Sequence, residues 1–212
     1  MTPLLRHVLA VMAINLCWPG FAHGAQSQAN CTGFIESLPA AISTQGVWCL
    51  RRDLSTSITA GNAVTITTNN VTLDCNDFRL GGVGGGDGSE AIGIRAAGRL
   101  NATVRNCRVR GFRTGIRLEG DGHVVENNRV DSSTLSGIHV DGDAAIVRAN
   151  MVSQLRSRAG QPRTIGIVAL GVGARVLDND IGNIRISDGT PVGIHVEHHG
   201  FTQRRKLHGL LE

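Results

Sequence analysis

Along most of the chain, apolar side chains alternate with polar ones in runs of a few residues, without the spacing of threes and fours that marks a helix. Two motifs carry the alternation. One is apolar-x-x-Asn-x-apolar, seen as Leu73–Asn76–Phe78, Val125–Asn128–Val130, Val147–Asn150–Val152 and Val176–Asn179–Ile181, with Cys107 in the Asn place between Val104 and Val109. The other is Gly-Ile-x-small or apolar, at Gly93-Ile94, Gly115-Ile116, Gly137-Ile138, Gly166-Ile167 and Gly193-Ile194. The two motifs alternate strictly, five times each. Period-two alternation predicts short strands, and the Gly, Asn and Asp between them predict tight turns.

Spacing then decides how the strands are arranged. From each glycine to the following Asn or Cys is 13 or 14 residues, whereas the return step varies from 8 to 17. The shortest full repeat is therefore about 22 residues. Repeats of this kind stack as coils about 4.8 Å apart, the distance between neighbouring strands. The predicted fold class is all-β: a parallel β-helix, a solenoid of about five to six coils of ~22 residues with insertions on one flank. Ile94, Ile116, Ile138, Ile167 and Ile194 form one inward ladder, and Leu73, Val104, Val125, Val147 and Val176 form another. Asn76, Asn128, Asn150 and Asn179 are expected to stack at one bend as a structural ladder that caps buried backbone.

Composition agrees with a narrow cylinder lined by β-branched residues: 41% hydrophobic, only 3% aromatic, and no tyrosine. The net charge of +4 sits mostly at the ends, in Arg6 and in Arg204, Arg205 and Lys206. The body, 25–199, holds 17 Arg against 16 Asp and Glu, too even a balance for a nucleic-acid binder. Residues 1–24 read as a secretory signal, with Arg6 and His7 before the apolar run Val8–Trp18 and Ala22-His23-Gly24 before Ala25. That run is too short to span a bilayer, so no membrane span is expected and the mature chain is read as exported, periplasmic or secreted. In such a compartment Cys31, Cys49, Cys75 and Cys107 form a disulfide set with three possible pairings. Cys31–Cys49 closes a short loop. Cys75–Cys107 staples adjacent coils, because Cys107 occupies the Asn column and Cys75 lies beside it one coil earlier. Residues 25–56 are expected to form an N-terminal cap region, 57–199 the parallel β-helix, and 200–212 an irregular basic tail. That tail is read either as a truncated end or as an open end that pairs with a second copy.

Cys31 through Leu50, with Leu38-Pro39 and Gly46-Val47-Trp48-Cys49-Leu50, followed by Asn70-Val71-Thr72-Leu73-Asp74-Cys75-Asn76, resembles the opening of exported right-handed parallel β-helix repeat proteins. These belong to the pectate-lyase-like superfamily, and the likeness runs over roughly residues 31–197. It implies a right-handed solenoid. For activity it implies only a range: pectate and alginate lyases, polygalacturonases, phage tailspikes and a periplasmic copper-maturation protein.

Three long insertions, Arg79–Glu90, Ser153–Thr164 and Gly182–Thr190, fall in the same turn, and loops grouped on one flank make a binding edge. The outward residues after the ladder isoleucines are Arg95, Arg117, His139, Val168 and His195. Cations stacked on adjacent coils need compensation. An acidic polysaccharide supplies it, so Arg95, Arg117 and His139 are the expected substrate-binding stripe. Two residues downstream lie Glu119, Asp141 and Glu197, with Asp121 and Asp143 in the next turn. Glu119 and Asp141 are the candidate Ca²⁺ ligands, a cofactor that the resemblance to polysaccharide lyases also implies. His195-x-Glu197-x-His199 sets three ligand-type side chains on one strand face. In a lyase of uronate polymers, Arg95 or Arg117 would abstract the proton beside a calcium-neutralised carboxylate, Arg being a base that resembling pectate lyases use. Few aromatics for sugar stacking and no Lys in the body weigh against cleavage. The leading expectation is a non-catalytic exported solenoid that contacts extracellular or cell-surface carbohydrate through a basic, loop-bearing flank. The alternatives are the Ca²⁺-dependent lyase and a protein-interaction scaffold.

Overall fold

A computed structural model describes residues 30–161, 163–187 and 189–197, and the backbone of Gln203 and Arg204. The secretory signal expected at 1–24, His199 of the metal-type motif, and the rest of the tail lie outside the described residues.

The chain winds through three parallel sheets in turn. The first sheet holds Gly33–Ile35, Gly46–Leu50, Val71–Asp74, Thr103–Arg105, Val124–Glu126, Ile146–Arg148, Arg175–Leu177 and Gln203–Arg204. The second holds Leu54–Ser55, Arg79–Gly81, Arg108–Arg110, Arg129–Asp131, Met151–Ser153 and Asp180–Gly182. The third holds Ala40–Ile42, Asn62–Ile66, Ile92–Ala96, Thr114–Glu119, Ser136–Asp141, Arg163–Leu170 and Thr190–Glu197. Each strand pairs with its counterpart one coil away, which makes six complete coils. The all-β parallel β-helix expected from the repeat is the fold.

Register explains the motifs. Leu73, Val104, Val125, Val147 and Val176 pair in one column, and Ile94, Ile116, Ile138, Ile167 and Ile194 in another. A third inward column, Leu80, Val109, Val130, Val152 and Ile181, comes from the second sheet. Nearly all of these side chains are fully buried, and packing between β-branched columns leaves room for one large aromatic, Phe112. The glycine of each Gly-Ile pair is there for space. A Cβ on Gly93 would fall 2.5 Å from the Gly115 carbonyl and 2.7 Å from Val109, and Gly137 and Gly166 meet the same obstruction two and three coils on. At these coils the stacked strands close around the second-sheet side chains because that atom is missing.

The Asn bend is a hydrogen-bonded ladder. Asn128 Oδ1 accepts from the Cys107 N–H at 3.0 Å, and Asn150 and Asn179 repeat the contact to Asn128 and Asn150. Each Nδ2 donates to a carbonyl one coil away, Val104, Val125 and Val147 in turn. Asn76 stands apart from this column. It and Asp77 take left-handed backbone (φ 48° and 62°), and its Nδ2 donates to Leu50 instead. Two extra residues lie in that turn, so Leu80 and not Phe78 pairs with Val109. The match Leu73–Asn76–Phe78 is thus one of sequence only.

Two boundaries also differ from expectation. The coils begin earlier than residue 57: Gly46–Leu50, Leu54–Ser55 and Asn62–Ile66 form a complete coil, and Gly33–Ile35 and Ala40–Ile42 pair onto it. Ala63 occupies the glycine place there, one residue before Val64, which pairs with Ile94; the motif is hidden by one methyl group. At the other end Gln203–Arg204 pairs with Val176–Leu177, so strand pairing continues into the expected irregular tail. The disulfides are Cys31–Cys49 and Cys75–Cys107, the latter joining neighbouring coils at a Cα separation of 4.7 Å.

Candidate functional site

The predicted basic stripe lies on the outer face of the third sheet, where Arg95, Arg117, His139, Val168 and His195 pair in one column. Its chemistry differs from expectation. Glu119, two residues after Arg117 on the same strand, shares that face by the period of two. Its Oε1 accepts from Arg95 Nη1 at 2.9 Å and Arg117 Nε at 2.8 Å, and its Oε2 accepts from Arg95 Nη2 at 2.7 Å. One carboxylate therefore holds both guanidinium groups and cancels one of their two charges. His139 is half-buried. Burial pushes its pKa below the ordinary imidazole value and Arg117 adds to the effect, against the opposing pull of Asp141 and Glu119. At neutral pH it is uncharged. The stripe is two arginines neutralised in part by Glu119 beside a neutral imidazole, not three stacked cations.

The same contacts remove the expected calcium site. Glu119 pairs with Asp141 in register, but the next residue in that column is Leu170, which separates both from Glu197. Both oxygens of Glu119 are committed to arginine. Among the described residues no group of three His, Cys, Asp or Glu side chains converges to hold an ion. The residues present do not fit Ca²⁺ at Glu119 and Asp141. Within the His-x-Glu motif, His195 Nε2 lies 3.0 Å from Glu197 Oε1.

The second sheet carries a row of exposed arginines outside the stripe expected from the sequence. Arg79, Arg108, Arg129, Met151 and Asp180 pair in one outward column, so three arginines stack on successive coils. All three are exposed. Arg79 meets Asp53 at 3.2 Å, and the next column's Arg110 meets Asp131 at 3.2 Å. Among the described residues no carboxylate reaches Arg108 or Arg129 within ion-pair distance. The signal was present in the sequence: Arg108 and Arg129 occupy the x of Asn-x-apolar, the one position of that motif that faces out of a strand.

Beside this column the glycine-rich insertion passes through a short turn, Val83–Gly85, against Ser57 and Ile58 of the neighbouring coil. It encloses an open groove of about 670 Å³ whose walls include Ser55, Thr56, Ser57, Gly84, Arg79 and Arg110. Hydroxyls and guanidinium groups in one groove suit a ligand with both hydroxyl and acidic substituents. All three insertions follow the second sheet and precede the third, as the spacing predicts.

The class defined by this architecture is a disulfide-stapled parallel β-solenoid with a basic, loop-bearing flank. Residues 90–197, just over half of the chain, match the family described as right handed beta helix region, and the chain belongs to that family. No curated protein and no solved structure matches the chain significantly. Among the described residues no helix is long and apolar enough to cross a membrane.

Proposed function

We propose that the protein is an exported, non-catalytic solenoid that binds acidic polysaccharide along its second sheet and the adjoining groove. The reading rests on the arginine column Arg79–Arg108–Arg129, set one residue per coil beside the hydroxyl-lined groove. A linear polyanion laid along the solenoid axis meets a guanidinium group about every 4.8 Å. Arg is the side chain suited to paired hydrogen bonds with carboxylate or sulfate oxygens. Two disulfides accord with an oxidising, extracytoplasmic compartment. Cleavage is not part of the proposal, since both arginines considered as lyase bases are held by Glu119.

The test is calorimetric titration of the mature chain with polygalacturonate and with a neutral glucan. Saturable binding of the acidic polymer alone is expected, weakening with salt as exposed charges are screened. Arg108→Ser with Arg129→Ser should weaken it at least about tenfold, or about 1.4 kcal/mol. Equal affinity for the neutral polymer, undiminished affinity in the double variant, or new reducing ends during the titration would overturn the proposal.

A further inference from the structure

The second and third insertions differ in length, yet each carries an amide-aliphatic-Arg unit from its second residue: Gln154-Leu155-Arg156 in one and Asn183-Ile184-Arg185 in the other. The middle residue anchors each unit, Leu155 fully buried and Ile184 packed against the core. The amide residue takes left-handed backbone in both, φ 54° at Gln154 and 55° at Asn183. Arg156 and Arg185 form a parallel bridge, held by Arg185 N–H donating to Leu155 O at 2.8 Å and Ser157 N–H donating to Arg185 O at 3.0 Å. Alike residues therefore sit at alike positions on neighbouring coils, outside the regular strands.

Gln154, Arg156, Asn183 and Arg185 line a cavity of about 280 Å³. Two guanidinium groups placed one coil apart repel each other unless something compensates. Among the described residues no carboxylate pairs with either. What the cavity offers is a convergent set of N–H donors: two planar forks and two carboxamides, a set that matches an oxyanion. Its volume is below that of ordinary small-molecule sites, so it suits one anionic group and not a sugar chain.

We infer that these four residues form a binding site for a single oxyanion, separate from the arginine column of the second sheet. The ion comes from one of two sources: free sulfate or phosphate, or the acidic substituent of a bound polymer. Calorimetric titration with sodium sulfate and with sodium phosphate, each at matched ionic strength against sodium chloride, should show one site of roughly millimolar affinity or tighter. Calorimetry is the readout because sulfate raises the melting temperature of proteins by exclusion from their surface alone. Arg156→Ser with Arg185→Ser, both exposed and able to change without disturbing the core, should weaken that heat at least about tenfold. Displacement of bound sulfate by a sulfated oligosaccharide at a lower concentration than by free sulfate would assign the site to polymer substituents; otherwise the free ion is its ligand. No saturable heat in the wild type, or the same heat in the double variant, overturns the inference. Arg108→Ser with Arg129→Ser should leave the sulfate heat intact, so this site and the polymer-binding column fail or stand separately.

Discussion

Replacing Asn150 by leucine tests what the Asn bend does, because leucine keeps the shape of the side chain and removes its hydrogen bonds. Asn150 is 2% exposed. Its Nδ2 donates to Val125 O at 2.9 Å and to Asn179 Oδ1 at 2.9 Å, while its Oδ1 accepts from the backbone N–H of Asn128 at 3.0 Å and from Asn128 Nδ2 at 2.9 Å. The neighbouring amides each keep a partner after the change: Asn128 Nδ2 still donates to Val104 O, and Asn179 Oδ1 still accepts from the N–H of residue 150. The Asn128 N–H and the Val125 carbonyl lose the side chain that served them. The Asn128 N–H is left unsatisfied, at about 1–3 kcal/mol, whereas Val125 O keeps its place in the strand ladder and forfeits only the extra bond, at about 1 kcal/mol, so Asn150→Leu should cost about 2–4 kcal/mol. Asn76→Leu is the internal control. Asn76 is half-buried and its Nδ2 bonds only Leu50 O, so its loss should cost on the order of 1 kcal/mol. Urea unfolding followed by far-ultraviolet circular dichroism gives both values, and an unchanged m shows that the unfolding unit is the same. In a heat melt each kcal/mol corresponds to about 2–4 °C for a chain of this size. If Asn150→Leu costs no more than Asn76→Leu, the ladder is not satisfying buried backbone and the reasoning fails.

Cys75→Ser with Cys107→Ser opens a link across 32 residues and should lower stability by about 3.7 kcal/mol, read as a shift in urea midpoint equal to that of the singly reduced protein. Glu119→Gln should free Arg95 and Arg117, costing about 1–3 kcal/mol and adding a second, salt-sensitive anion site on the third sheet. Titration with polygalacturonate in the Arg108→Ser, Arg129→Ser background would reveal that site, and silence there would mean that Glu119 is not what masks the stripe. His123 is fully buried, its Nδ1 accepting from the Ala102 N–H at 3.1 Å, and burial holds its pKa below the ordinary imidazole value of about 6.5. The unfolded chain therefore binds a proton first, so stability is complete above about pH 6.5 and is lost as pH falls from there toward the folded-state pKa. Half-buried His139 acts in the same direction. Urea midpoints at pH values between about 7.5 and 5 should fall for the wild type and fall less for His123→Asn, which keeps an acceptor but does not titrate.

The fold was legible because a solenoid writes each structural requirement once per coil. Gly-Ile and Asn-x-apolar recur since every coil must admit the same valine past the same missing Cβ and must satisfy the same bend. Where a coil meets the requirement differently, the pattern vanishes: Ala63 replaces the glycine in the first complete coil, and two added residues carry Asn76 off the ladder. The site was harder to read because charge compensation is a matter of reach. Arg95 and Glu119 lie 24 residues apart and meet only through the register of adjacent coils. Outward position alone marks Arg95 and Arg117 as readily as Arg108 and Arg129, and of these only Arg117, with Glu119 two residues on, has its partner within its own strand.

What separates them is where the nearest carboxylate falls on each face. On the third sheet Arg117-x-Glu119 places a carboxylate on the same strand and the same side, and it reaches back one coil to Arg95 as well. On the first sheet compensation runs between coils, Arg105 to Asp74 and Arg148 to Glu126. On the second sheet Arg110 takes Asp131 on the neighbouring coil and Arg79 takes Asp53, while Asp180 stands two coils from Arg129 in the same column. Arg108 and Arg129 are left facing water on the face that carries the groove beside the first insertion. A repeat that stacks like charges pays for them in repulsion unless a partner cancels it. Two faces carry that partner in their own side chains. The face that carries the least of it adjoins the insertions, and it is there that an acidic ligand would supply the missing charge.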